Sequence, residues 1–125
     1  MWSGPRNMST TMMRSFGARA DCVAVDEPFY AAWLVAAGEV HPMQDEILAT
    51  QPADPASVAE ALLAPLPDGK RVQYQKQMTH HMLEDFPLEW AGACEHAFLI
   101  RHPARVIASY ARKMDAISLE AIGFP

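Results

Sequence analysis

A chain of 125 residues is the size of one domain, and with half its residues apolar and a fifth charged it can build a packed core, which excludes intrinsic disorder. Fifteen acidic against ten basic residues give a formal charge of −5, the wrong sign for a nucleic-acid binder, so any anion site must be a local cluster. No apolar run approaches the ~18 residues that span a bilayer, and Met1-Trp2-Ser3-Gly4-Pro5 lacks the blocks of a secretory leader, so the expectation is a cytoplasmic address with no membrane partner.

Ser3-Gly4-Pro5-Arg6-Asn7 is a breaker-rich loop that runs into a helix from Met8 to Phe16, stopped by Gly17. Only Met1 and Trp2 precede it, so the first strand is expected to be a stub. Cys22 to Val25 is a short apolar strand closed by Asp26-Glu27-Pro28, and Phe29 to Ala37 is a helix stopped by Gly38. Between His41 and Asp54 lie two prolines and a helical patch around Glu46 to Ala49. Asp54 and Pro55 read as N-cap and first position of a helix from Ala56 to Ala64, with Val58, Leu62 and Leu63 on its buried face. Pro65 to Gly69 is a turn.

Arg71 to Met78 alternates, with Val72, Tyr74, Lys76 and Met78 on one face and Gln73, Gln75 and Gln77 on the other. Leu88 to Ala93 predicts a short helix. Ala97 to Ile100 is wholly apolar, the pattern of a central parallel strand. Arg101-His102-Pro103 follows, then a helix from Ala104 to Met114 with Val106, Ile107, Tyr110 and Met114 at helical spacing. Cys22 and Cys94 are far apart, beside strand-like stretches, and read as reduced and buried. The alternation of strands and helices is that of an α/β protein with a parallel central sheet.

Two strand-to-helix junctions carry an arginine beside small or hydroxylated residues, and in open α/β sheets ligands bind outside the carboxyl ends of the strands. In Gly4-Pro5-Arg6-Asn7-Met8-Ser9-Thr10-Thr11 the loop enters a helix start rich in hydroxyls, where free amides and the helix dipole attract anions and Arg6 adds a fixed positive fork. The plainer reading is an ordinary N-cap, Ser9 or Asn7, with a surface arginine. The loop lacks the G-x-x-x-x-G-K-[ST] spacing and the magnesium-binding hydroxyl after lysine, which disfavours a P-loop kinase relative.

Phe98-Leu99-Ile100-Arg101-His102-Pro103 through Ser109-Tyr110 resembles the 3′-phosphate-binding segment of the sulfotransferase family, in which an arginine, a proline two residues on and a serine eight residues on recur. Pro5-Arg6-Asn7-Met8-Ser9-Thr10 resembles the family's 5′-phosphosulfate loop, with arginine where lysine often stands. Trp2 to Phe16 with Val25-Asp26-Glu27-Pro28-Phe29-Tyr30 is similar to a bacterial branch of small-molecule sulfotransferase-like proteins. The resemblance implies a three-layer P-loop-like fold over residues 1–125 and 3′-phosphoadenosine 5′-phosphosulfate as co-substrate, with no metal. It implies donor contacts from Arg6, Asn7, Ser9, Thr10, Thr11, Arg101 and Ser109, and sulfuryl transfer to a hydroxyl or amine of a small molecule.

Such a transfer needs a base for the acceptor proton. Many sulfotransferases end a strand in a lysine-threonine-histidine segment, which Thr79-His80 resembles; Lys76 lies close by, off the family's spacing. The resemblance therefore implies His80 as base, with His81 as fallback, and Lys76 beside it. Glu27, at a strand end, is a second candidate base, since some branches use a glutamate there. The plain alternatives are surface imidazoles and a turn-forming carboxylate. Adjacent histidines and unpaired cysteines predict no metal site.

Met8 stands where the family loop often has glycine. The family continues well beyond the Arg101 helix, so the chain reads as the N-terminal portion of an incomplete fold, whose exposed edges predict self-association, with a homodimer as the expected form. The alternative function is a non-catalytic remnant or interaction protein on the same scaffold.

Overall fold

The computed structural model describes residues 1–38 and 42–112. In chain order they form β1 (Trp2–Ser3), α1 (Ser9–Gly17), β2 (Cys22–Asp26), α2 (Tyr30–Ala37), α3 (Gln44–Thr50), α4 (Pro55–Leu62), β3 (Val72–Met78), β4 (Phe98–Leu99) and α5 (Pro103–Tyr110). Two 3₁₀ turns, Thr79–His81 and Glu89–Ala93, separate β3 from β4. The strands make a parallel four-stranded sheet in the order β2-β3-β1-β4, the α/β architecture expected. His41 and Met114, and the helix end predicted there, lie outside the described residues.

Partners in register across parallel strands share a face. Trp2, Val25, Gln75, Gln77 and Phe98 therefore look one way, and Ser3, Ala24, Tyr74, Lys76 and Met78 the other. On the second face lies α1: Phe16 stacks on Tyr74 at 4.3 Å between ring centres, and a Cβ on Gly17 would come 3.4 Å from that of Ala24. On the first face Phe29, Ala32, Val58, Leu62, Phe86, Trp90 and Ala91 form the main core, with Trp2 and Val25 against it. Helices thus cover both faces, giving three layers.

Local chemistry sets the helix ends. The Asp54 carboxylate accepts from the Ser57 amide at 2.8 Å, with Pro55 at the first helical position of α4. Gly38 closes α2 in the left-handed region, φ 66°. Pro103 opens α5, and His102 Nδ1 accepts from the Ala104 amide at 3.3 Å.

Two expectations are corrected. Leu63 does not share the buried face of α4 but is 53% exposed, because the helix ends at Leu62 and Leu63 is its C-cap. Both faces of β3 are covered: Gln75 and Gln77 are buried with Tyr74, Lys76 and Met78, since β3 sits between β2 and β1 and under the core. They satisfy one another, Gln77 Nε2 donating to Gln75 Oε1 at 3.2 Å and Gln75 Nε2 to Gln73 Oε1 at 2.5 Å. The apolar run 97–100 is not a central strand; β4 is an edge of the described sheet, with Phe98 69% and Ile100 86% exposed. Cys22 is buried and Cys94 half-buried, both free. No helix among the described residues is long and apolar enough to cross a membrane.

Phe29 stacks on Trp90 at 5.6 Å and lies 6.1 Å from Phe86, so it joins α2 to the segment after β3. Phe29→Ala is expected to cost about 3–5 kcal/mol of folding free energy in a urea titration, the range for emptying a buried aromatic site.

Candidate functional site

All four strands run the same way, so their carboxyl ends share one rim. Ser3 pairs with Leu99, and the two arginine-bearing turns leave the sheet side by side. Asn7 Nδ2 donates to the Leu99 carbonyl at 3.1 Å, Arg101 Nη1 donates to the Arg6 carbonyl at 2.8 Å, and Arg6 Nε donates to Ser109 Oγ at 3.2 Å. The loop turns sharply: Arg6 and Met8 both sit in the left-handed region at φ 63°, which costs a non-glycine residue of order 1–3 kcal/mol. Met8 thus has the conformation a glycine would supply.

Met8 is also the N-cap of α1 and makes no side-chain capping bond, so neither Asn7 nor Ser9 caps this helix. The first intrahelical bonds run from the Thr11 and Met12 amides to the Met8 carbonyl. The amides of Ser9 and Thr10 precede them, at the positive end of the helix dipole. Here a cavity of about 260 Å³ is lined by Arg6, Asn7, Met8, Ser9, Thr10, Arg101 and Ser109. Six of the seven residues expected to contact the donor meet in it; Thr11, exposed on the first turn of α1, does not. No carboxylate of the described residues lines it. Two guanidinium groups, hydroxyls and a helix start suit a phosphate or sulfate, and the volume fits the anionic end of a ligand better than a whole nucleotide.

The three expected catalytic residues gather next door. Lys76 is only 4% exposed, and its ammonium donates to Asp26 Oδ1 at 2.7 Å and to Glu27 Oε1 at 2.5 Å. Burial pulls the Lys76 pKa down, but bonds to the two carboxylates outweigh it and hold the pKa above the usual lysine range. Glu27 has φ 45°, and its amide donates to the Lys76 carbonyl at 2.9 Å. The turn after β3 carries His80 and His81, whose ring centres lie 4.4 Å apart. His81 stacks with Tyr30 at 4.8 Å and Trp33 at 5.0 Å, and Trp33 meets His80 edge-on at 5.6 Å. Burial, then the charges of His80 and Lys76, push the His81 pKa down to about 3. Burial also lowers that of His80, with Glu27 pulling the other way. Both Nδ1 atoms are buried without a hydrogen-bond partner among the described residues. Neither imidazole is a freely solvated surface group. Among the described residues no group of three His, Cys, Asp or Glu is placed to hold a metal ion.

Sequence reasoning assigned no role to Asp26, Tyr30 or Trp33. Asp26 meets Lys76 because the two are paired in the β2–β3 register, which no local pattern reveals. Trp33 and Tyr30 lie three apart on α2 and so share the helix side that meets the histidines.

The sulfotransferase domain family model matches residues 1–125. Two Arabidopsis thaliana proteins, branched-chain-amino-acid aminotransferase-like proteins 2 and 1, are each 34% identical. The first match covers 98% of this chain and 22% of that protein, the second 87% and 20%. The chain thus spans about a fifth of the length of these curated relatives. No solved structure matches it.

The buried His81 ring makes stability pH-dependent. A folded pKa of about 3 against an unfolded value near 6.5 means the unfolded chain takes up the proton first. Stability contributed by the neutral ring is complete above pH 6.5 and lost as pH falls towards 3. Between pH 7 and pH 5 the loss is expected to be about 2 kcal/mol in denaturant titrations, and His81→Phe, which keeps the stack, should flatten that slope.

Proposed function

The chain belongs to the sulfotransferase domain family, and on that premise we propose that it grips the phosphates of 3′-phosphoadenosine 5′-phosphosulfate at the Arg6–Arg101 cavity and transfers the sulfuryl group to a hydroxyl or amine of a small molecule. The observation that carries this reading is the single cavity lined by both arginine turns over an uncapped helix start. In the transfer, the acceptor oxygen or nitrogen bonds to sulfur as the sulfur–oxygen bond to the 5′-phosphate breaks, leaving 3′-phosphoadenosine 5′-phosphate. Charge grows on that leaving phosphate, and Arg6 with the amides and hydroxyls of Ser9 and Thr10 meets it with fixed positive potential. Arg101 and Ser109 take the 3′-phosphate.

The acceptor proton goes to His80 in this reading. Glu27 is already engaged by Lys76, and a His81 pKa of about 3 makes that ring a feeble base at neutral pH. Lys76 contributes as a buried cation that fixes Glu27 rather than as a free donor. That locked lysine favours one alternative, a protein that binds the nucleotide without turning over. The aminotransferase-like names belong to proteins of which this chain spans about a fifth, and the proposal takes no activity from them.

Calorimetry with 3′-phosphoadenosine 5′-phosphate should show binding, weakened roughly ten- to a hundredfold by Arg6→Ala or Arg101→Ala, the worth of one charge-assisted hydrogen bond. Silence at millimolar ligand would remove the donor site. In sulfate-transfer assays on mixed alcohols, phenols and amines, His80→Ala should keep the nucleotide affinity and lose about 10²–10⁴ in turnover. Unchanged turnover excludes His80 as base, and binding with no turnover in the unaltered protein selects the non-catalytic alternative.

A further inference from the structure

A general base must present one nitrogen to its acceptor in a fixed direction, and a catalytic imidazole is commonly oriented by a hydrogen bond to its other nitrogen. His80 lacks that device: its Nδ1 is buried and has no hydrogen-bond partner among the described residues. The ring also stands on a short 3₁₀ turn, Thr79–His81, closed by a bond of 3.3 Å from the Met82 amide to the Thr79 carbonyl. Such a turn has little stiffness of its own.

What meets the His80 ring is aromatic. Trp33 stands perpendicular to it, at 89° and 5.6 Å between ring centres, and His81 crosses it at 69° and 4.4 Å. Trp33 also stacks on His81 at 30° and 5.0 Å, so one indole packs against both imidazoles. An edge-to-face contact is a favourable one for such rings and fixes tilt as well as distance. The indole in turn is carried by α2, where Ala31, Ala32 and Leu34 are fully buried and the preceding Phe29 stacks on Trp90. Support therefore runs from the core through α2 to Trp33, and from Trp33 to the histidine.

We infer that Trp33 is a positioning residue for the transfer, holding the His80 ring by packing where a hydrogen-bonded partner would otherwise hold it. The inference rests on His80 as the base. Packing has a chemical advantage here, because an indole shields the ring from water and brings no charge to it. A shielded imidazole stays neutral and ready to take a proton, and burial does lower the His80 pKa, with Glu27 opposing. The other titratable groups of the cluster disturb this little. Burial keeps His81 neutral, burial and then Glu27 raise the Tyr30 pKa, and Lys76 is engaged by Asp26 and Glu27.

A double-mutant cycle in the full chain tests this, with Trp33→Leu, His80→Ala and the two together, and Trp33→Phe alongside. Trp33→Leu should lower kcat about 10–100-fold at unchanged affinity for 3′-phosphoadenosine 5′-phosphate, and Trp33→Phe should keep most of the rate. In the His80→Ala background Trp33→Leu should lose nothing further; an equal loss there overturns the inference, since Trp33 would not be acting through His80. The imidazole proton resonances of His80 supply a readout that needs no turnover. Their titration should move up towards the ordinary histidine range in Trp33→Leu, as water reaches the ring. An unmoved titration overturns the inference, even where the rate falls together with the thermal midpoint. Unchanged turnover in His80→Ala alone removes the base assignment instead, and the titration still decides whether Trp33 holds the ring.

Discussion

The candidate site depends on one hydrogen bond that closes a circle: Arg101 reaches from the end of β4 to the carbonyl of Arg6 in the neighbouring turn. Arg6 and Met8 hold left-handed backbone that costs free energy in isolation, so something outside the loop must fix it. The Arg101 guanidinium does so at one point and the Asn7 amide, bonded to Leu99, at another. Arg6 returns the contact by donating to Ser109 on α5. Arg101 is therefore held by the turn that carries Arg6, and Arg6 by the helix that follows Arg101, so two positive charges stay together that would otherwise repel. Such an arrangement is preorganised for an anion, which supplies the charge the pair lacks.

Net charge then becomes a matter of distance. The chain carries −5 overall, yet a field screened within about 8–10 Å at ordinary ionic strength lets a local cluster decide. The same rim could have spoiled this, for Asp26 and Glu27 stand at the end of β2, two strands from β1. Lys76 beneath them cancels one of the two charges and holds both carboxylates by direct hydrogen bonds. The buried lysine thus has an electrostatic consequence for the anion cavity whether or not it meets a substrate. A buried ammonium held by two partly exposed carboxylates is a weak source of stability but a strong constraint on geometry, because removing both carboxylates would strand the buried charge.

The two arginine turns were legible because glycine, proline, hydroxyl and arginine residues announce themselves at short range. So was the Asp54-Pro55 start of α4, where the cap and the proline act within one turn. What escaped is non-local. Met8 as an uncapped helix start follows from loop geometry set by β4, whereas propensity offered only Asn7 or Ser9 as the plainer cap. The alternation of β3 was legible as a strand, but its burial on both faces comes from neighbours that no period of two can reveal. The run 97–100 shows the converse: apolar sequence suits a central strand, yet its neighbours leave Phe98 and Ile100 in the open. The pairing of Asp26 with Lys76 required the strand register, fifty residues apart in sequence.

β1 explains how a sheet so short can carry a site at all. Two residues of parallel ladder are too few to hold a strand, and side chains supplement them. Trp2 packs against the core beside Trp90 at 6.0 Å, and its indole donates to His96 Nδ1 at 2.9 Å. That bond fixes the tautomer: with Nδ1 accepting, the proton sits on Nε2, which faces the Ala91 carbonyl at 2.9 Å and donates to it. Trp2 is thereby tied through one imidazole to the 3₁₀ turn that holds Trp90. On the opposite face Ser3, next along the strand, is buried with its hydroxyl 3.7 Å from the Met78 sulfur. Because Gly4 and the anion loop follow at once, whatever stiffens β1 stiffens the Arg6 carbonyl that Arg101 grips. The packing of one tryptophan at the core and the posture of an arginine at the rim are two ends of the same five-residue lever.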